Sequence, residues 1–91
     1  MNFEWDEKKN EINKKKHGIS FEHAVQVFED EFRLEDYDEY HSDGEERYSV
    51  IGMVNDLLYV VCTDRPENDS IRLISARLAT KTERKRYYGD C

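Results

Sequence analysis

Between Ser20 and Phe28 the apolar residues Phe21, Ala24, Val25 and Phe28 recur at i, i+3, i+4 and i+7. This spacing predicts a helix capped by Ser20 and laid on a sheet. Ahead of it, Asp6 to His17 reads as a helix with Asp6 as N-cap and Gly18 as its stop. That helix carries Lys8, Lys9, Lys14, Lys15 and Lys16 with Ile12 as its main apolar residue, so it can bury only a narrow stripe with Trp5 and the lysine stems. Phe3 to Trp5 forms a short opening strand or an apolar anchor. The pattern then changes period. Arg47 to Val54 and Leu57 to Thr63 are β-branched, aromatic and apolar around Asn55-Asp56, which predicts a hairpin with a tight turn. Leu57 to Cys62 is apolar on both faces and belongs at the centre of a sheet. Phe32 to Tyr40 alternates weakly and is heavily charged, as suits an exposed edge strand. His41 to Glu46 and Asp64 to Ser70 read as loops, and Ile71 to Arg77 as the last strand. Thr80-Lys81-Thr82-Glu83 has the capping-box form and opens a final helix. The predicted order is β-α-α-β-β-β-β-α: an α+β fold with a small antiparallel β-sheet, two N-terminal helices and one C-terminal helix.

A chain of 91 residues with 37 % apolar and 38 % charged residues is expected to form a single domain, 1–91, with a thin core. It has no apolar run near the roughly 20 residues that span a bilayer, and Met-Asn-Phe-Glu-Trp-Asp lacks the basic and apolar regions of a signal peptide. A cytoplasmic protein without membrane contact is expected. Cys62, inside an apolar strand, is expected to be buried, with Cys91 a free tail thiol. His17, His23 and His41 are too scattered for zinc, so neither a metal nor a cofactor is expected. The net charge is −7, but it is unevenly placed. From Glu22 to Glu46 there are eleven acids against Arg33 alone, whereas from Arg72 to Arg86 there are six positive residues against Glu83. Phosphate responds to the potential within about 8 Å in physiological salt, so the net charge does not exclude an RNA substrate.

Three sets of residues carry a family resemblance. The first is Trp5-Asp6, Lys9, Asn13, Lys16-His17-Gly18, Ser20-Phe21 and Ala24. The second is Gly44, Glu46-Arg47, Ile51-Gly52, Leu57-Leu58, Val60-Val61, Thr63 and Arg65. The third is Arg72, Ile74-Ser75-Ala76-Arg77, Ala79-Thr80, Glu83-Arg84 and Tyr88. In this order, over nearly the whole chain, they resemble the BrnT family of bacterial type II toxins, compact proteins with a RelE-like fold. Leu78 departs from the pattern, standing where many relatives have a basic residue. The resemblance implies a ribonuclease that arrests growth by cutting RNA. It also implies silencing by a cognate BrnA-like antitoxin, a ribbon-helix-helix protein through which alone the complex reaches operator DNA.

RNA brings its own nucleophile, the 2′-hydroxyl. A metal-free ribonuclease therefore needs a base, cations around the phosphate and an acid for the leaving oxygen. Arg77, Arg72, Arg65 and Arg47 are the candidate phosphate ligands, since a planar guanidinium binds phosphate oxygens bidentately. Each could equally pair with the acidic loop or cover apolar surface. Strict alternation puts Arg72 and Arg77 on opposite faces, so either a bulge intervenes or one alone is catalytic, with Arg77 favoured. His17 is a candidate acid or base, or simply a helix-end residue. Tyr88 is a candidate for stacking on a base or giving a proton, or for docking the last helix. Lys16, Lys81 and Arg84 are candidates for tracking the RNA backbone. A non-catalytic co-repressor module is the alternative function. A divalent-metal nuclease ranks last, because Glu83 is the one carboxylate near the basic strand.

Overall fold

The computed structural model describes residues 2–38 and 47–89. The loop expected from His41 to Glu46 and the Cys91 thiol lie outside them. Five strands form one sheet: β1 (Asn2–Glu4), β2 (Leu34–Asp38), β3 (Arg47–Val54), β4 (Asp56–Arg65) and β5 (Ser70–Leu78), in the order β1-β5-β4-β3-β2. The apolar strand β4 is central and the acidic strand β2 is an edge, as their composition predicts. The β3–β4 hairpin pairs up to Val54 and Asp56, with Asn55 left-handed at the turn (φ 62°). The opening strand runs parallel to β5, pairing Phe3 with Ile71 and Glu4 with Arg72, so the sheet is not purely antiparallel.

One face of the sheet carries the core. Val50, Val54, Leu58, Val60, Cys62, Ile71, Leu73 and Ala76 are buried there with Ile19, Phe21, Ala24 and Val27. Burial pushes the Cys62 thiol up to about 12. The second helix takes up less α-helix than its spacing predicts: α2 (Phe21–Ala24) is a single turn that continues as a 3-10 helix over Val25–Glu29. With three residues per turn, the fully buried side chains are Phe21, Ala24 and Val27, while Val25 and Phe28 move to the margin of the core. Gly52 of β3 lies directly under this segment, and a Cβ there would sit 2.8 Å from Val27 Cβ.

Helix α1 (Glu7–His17) starts at the Asp6 cap and ends at Gly18 (φ 73°), as expected, but the residues it buries differ. Ile12 is 62 % exposed, and the buried side chains are Asn10 and Asn13. Asn10 accepts from the Phe21 N–H (2.8 Å) and donates to Glu7 and Glu22. The Asn13 amide donates to the carbonyls of Ala76 (2.8 Å) and Ile19 (2.9 Å) and accepts from the Ala76 N–H. Because β1 stops at the level of Arg72, Ala76 has no strand on that side, and Asn13 supplies the missing hydrogen bonds.

Helix α3 (Lys81–Tyr88) opens on the expected Thr80–Glu83 capping box. It lies on the second face of the sheet, against β3. Ile51 and Leu57 are fully buried on that face, apart from the main core.

Candidate functional site

The register of the sheet builds one row on the second face, with Asp38 of β2 as the Cα partner of Arg47 at its β2 end. Arg47 of β3 pairs with Thr63 of β4, Thr63 with Arg72 of β5, and Arg72 with Glu4 of β1. Side chains at paired positions project to the same side. Phe3 and Ile71, one residue away, face the core, so the Arg47–Thr63–Arg72–Glu4 row faces outward. Adjacent strands are about 4.8 Å apart, so Arg47 and Arg72 flank the fully buried Thr63 at roughly 10 Å between Cα atoms. That span lets two guanidinium groups meet over one phosphate. Among the described side chains no carboxylate lies within ion-pairing distance of either arginine. Arg65, two residues beyond Thr63 on the same face, lies 3.8 Å from Glu67.

The conflict between Arg72 and Arg77 resolves through a bulge. Cys62 pairs with Leu73 but Val61 pairs with Ser75, so Ile74 is an extra residue in β5. It restores both arginines to one face. Arg77 pairs with Tyr59, four residues along β4 from Thr63, or roughly 13 Å. There it is already occupied. Its guanidinium lies 4.1 Å over the Tyr59 ring and holds Glu83 through two bonds of 2.8 and 2.9 Å. Partial burial works to raise the Glu83 carboxyl, but the bonds from Arg77 and the Thr80 N–H outweigh it and hold the group below its ordinary range.

Lys81 and Arg84 are exposed on α3, and Lys81 starts the helix at the end of the sheet away from Arg47 and Arg72. Tyr88 is 59 % exposed and stands edge-on to Tyr87; docking of the helix falls to Tyr87 instead, which donates to Asp30 (2.6 Å). Arg86 pairs with Asp36 of β2. His17 and Lys16 end a helix that leaves β1 at the level of Arg72 and has reached Ala76 by Asn13, so they are carried away from the arginine row. Sequence reasoning missed Glu4 and Tyr87. Glu4 enters the row only through the parallel pairing of β1, and a three-residue strand has too little alternation to announce it. The adjacent pair Tyr87-Tyr88 offered no basis for choosing the docking residue.

Residues 5–83 match the profile of the family described as the ribonuclease toxin, BrnT, of type II toxin-antitoxin systems. The chain belongs to the BrnT family. Its structure is similar to the crystal structure of the Brucella abortus ribonuclease toxin BrnT, with a TM-score of 0.64 at 25 % identity, over 89 % of this chain and 99 % of that one. A comparison with curated proteins gives no match. The α+β, RelE-like architecture expected from sequence is the architecture observed, and membership of the BrnT family places the chain among ribonuclease toxins.

Proposed function

We propose that this BrnT-family chain cuts RNA through the substrate's own 2′-hydroxyl, without a metal ion, at the Arg47–Thr63–Arg72 row. A cognate BrnA-like antitoxin then silences it by covering that face, and operator DNA is reached only through the antitoxin. The observation that carries the reading is a pair of arginines on the strands either side of β4, both paired in register with Thr63 and with no ion pair among the described side chains. As the 2′-oxygen attacks, charge builds on the phosphate oxygens, and two guanidiniums carried on the strands either side of β4 stabilise that charge more than the ground state. Arg65 adds positive potential beside them. Arg77 acts at one remove, fixing α3 through Glu83, while Lys81 and Arg84 attract flanking RNA backbone; Lys16, His17 and Tyr88 take no part in bond breaking. Among the described residues no three His, Cys, Asp or Glu side chains gather as a metal site would require, which supports the metal-free reading.

The test is cleavage of end-labelled RNA in EDTA, on free RNA and on translating ribosomes. Wild type cuts; Arg47→Ala and Arg72→Ala, shown to be folded by circular dichroism, each lose at least about tenfold in kcat/KM, or about 1.4 kcal/mol of transition-state stabilisation. Absence of cutting on both substrates would leave the non-catalytic co-repressor module as the function.

A further inference from the structure

We infer that Glu4 is the general base that removes the proton from the RNA 2′-hydroxyl; this rests on the ribonuclease reading above. Three observations lead to it. First, Glu4 continues the row: it is paired in register with Arg72 and projects from the same face as Arg47 and Thr63. It stands in register beside Arg72, as Asp38 of β2 stands in register beside Arg47 at the other end of the row. Second, it is oriented. Its Oε1 accepts from the Ser70 hydroxyl at 2.8 Å, and Ser70 is itself only 7 % exposed, so one carboxylate oxygen is fixed from below. Third, it is not consumed by an ion pair. Among the described residues no Lys, Arg or His lies within ion-pairing distance of it, in contrast to Glu83, which Arg77 holds on both oxygens. An anchored carboxylate with one oxygen left over, in register beside one of the two arginines, has what a base needs.

In the step this assigns, the free carboxylate oxygen of Glu4 takes the 2′-hydroxyl proton as the 2′-oxygen forms its bond to phosphorus. The bond from phosphorus to the 5′-oxygen breaks, and the departing 5′-oxygen takes a proton from solvent water. The products are a 2′,3′-cyclic phosphate and a 5′-hydroxyl, and Glu4 returns its proton to solvent. Arg47 and Arg72 carry the charge that passes through the phosphate.

Glu4→Gln is the informative variant, because its side-chain oxygen can still accept from Ser70 while the base is gone. In single-turnover cleavage it is expected to lose about a hundredfold or more in rate. Binding of a fully 2′-O-methylated RNA, which cannot be cut, stays as in wild type. The acid limb of the pH–rate profile, present in wild type, disappears. Glu4→Asp, which keeps a carboxylate, retains that limb at a reduced rate, giving a second reading if the glutamine variant does not fold. Glu4→Gln cutting at the wild-type rate with its acid limb intact would overturn the assignment, as would a parallel loss of binding and cutting, which marks a structural role. Failure of wild type to cut any RNA would instead bring down the ribonuclease reading, and the assignment with it.

Discussion

Asn13 supplies hydrogen bonds to β5 that another strand would otherwise have to make, and it does so from inside a helix. Its replacement by alanine leaves the Ala76 N–H and carbonyl and the Ile19 carbonyl without their partner in a buried setting. Leaving buried polar groups unpaired costs about 1–3 kcal/mol each when water cannot reach them, so with three groups affected Asn13→Ala is expected to cost at least about 3 kcal/mol in all. Urea unfolding should show the loss as a lower midpoint with an unchanged slope. Asn13→Asp should be at least as damaging, because a carboxylate cannot donate to either carbonyl. Gly52 is sensitive for the opposite reason, since there is no room above it. A methyl group 2.8 Å from Val27 Cβ forces the 3-10 segment off the sheet, and Gly52→Ala is expected to cost roughly 1–3 kcal/mol. Val27→Gly in the same chain, which removes that Cβ, should recover part of that cost. A double-mutant cycle on denaturation midpoints measures the coupling, and strict additivity would show that the contact is not the cause.

Helix α3 has no buried residue, so little apolar surface holds it to the sheet. It is held at its ends by Arg77–Glu83, Arg86–Asp36 and Tyr87–Asp30. Desolvation works to raise the Asp30 carboxyl, but the Tyr87 hydroxyl and the N–H groups of Met53 and Phe32 outweigh it. Asp30 and Glu83 are therefore both held below their ordinary values of 3.8 and 4.5. A carboxyl lowered by folding binds fewer protons in the native state than in the unfolded chain. Its stabilisation is complete above those ordinary values and is lost as the pH falls through the folded ones. The protection factors of the α3 amides, taken against intrinsic exchange at each pH, should accordingly fall in acid before those of the α1 amides, and Tyr87→Phe should bring the same loss of protection at neutral pH; equal protection of both helices across the pH range would contradict this attachment. Much of this element was legible. Thr80 and Glu83 spell the cap, as Asp6 and Ser20 do for the other helices, because caps are local and depend on residue type. A bulge between Arg72 and Arg77 is one of two alternatives that alternation leaves open, but its place at Ile74, the parallel pairing of β1 and the burial of Asn10 and Asn13 were not legible, since each depends on a contact between residues distant in the chain. The site inherits that limit: single arginines could be named, but the row they share exists only through register.

The whole molecule opposes its own site in charge, and salt should separate the two. It carries −7 over extents of 39 × 28 × 24 Å, yet the proposed RNA face presents Arg47, Arg65 and Arg72. At about 0.01 M salt the screening length is roughly 30 Å, comparable to the molecule, so an approaching RNA feels the net negative charge. At about 0.15 M it is roughly 8 Å, and only the charges around the row are felt. At still higher salt the direct phosphate contacts weaken through counterion competition, by a logarithmic slope of about 0.7 per contact on a single strand. The kcat/KM for RNA is therefore expected to rise with salt, pass a maximum near about 0.1 M and then fall. Arg47→Ala should flatten the falling limb by about 0.7 and leave the rising limb in place, because the rise belongs to the net negative charge of the chain and the fall to the contact removed. A monotonic decline from the lowest salt would mean that the acidic bulk does not reach the substrate, and that the arginine row alone sets the approach of RNA.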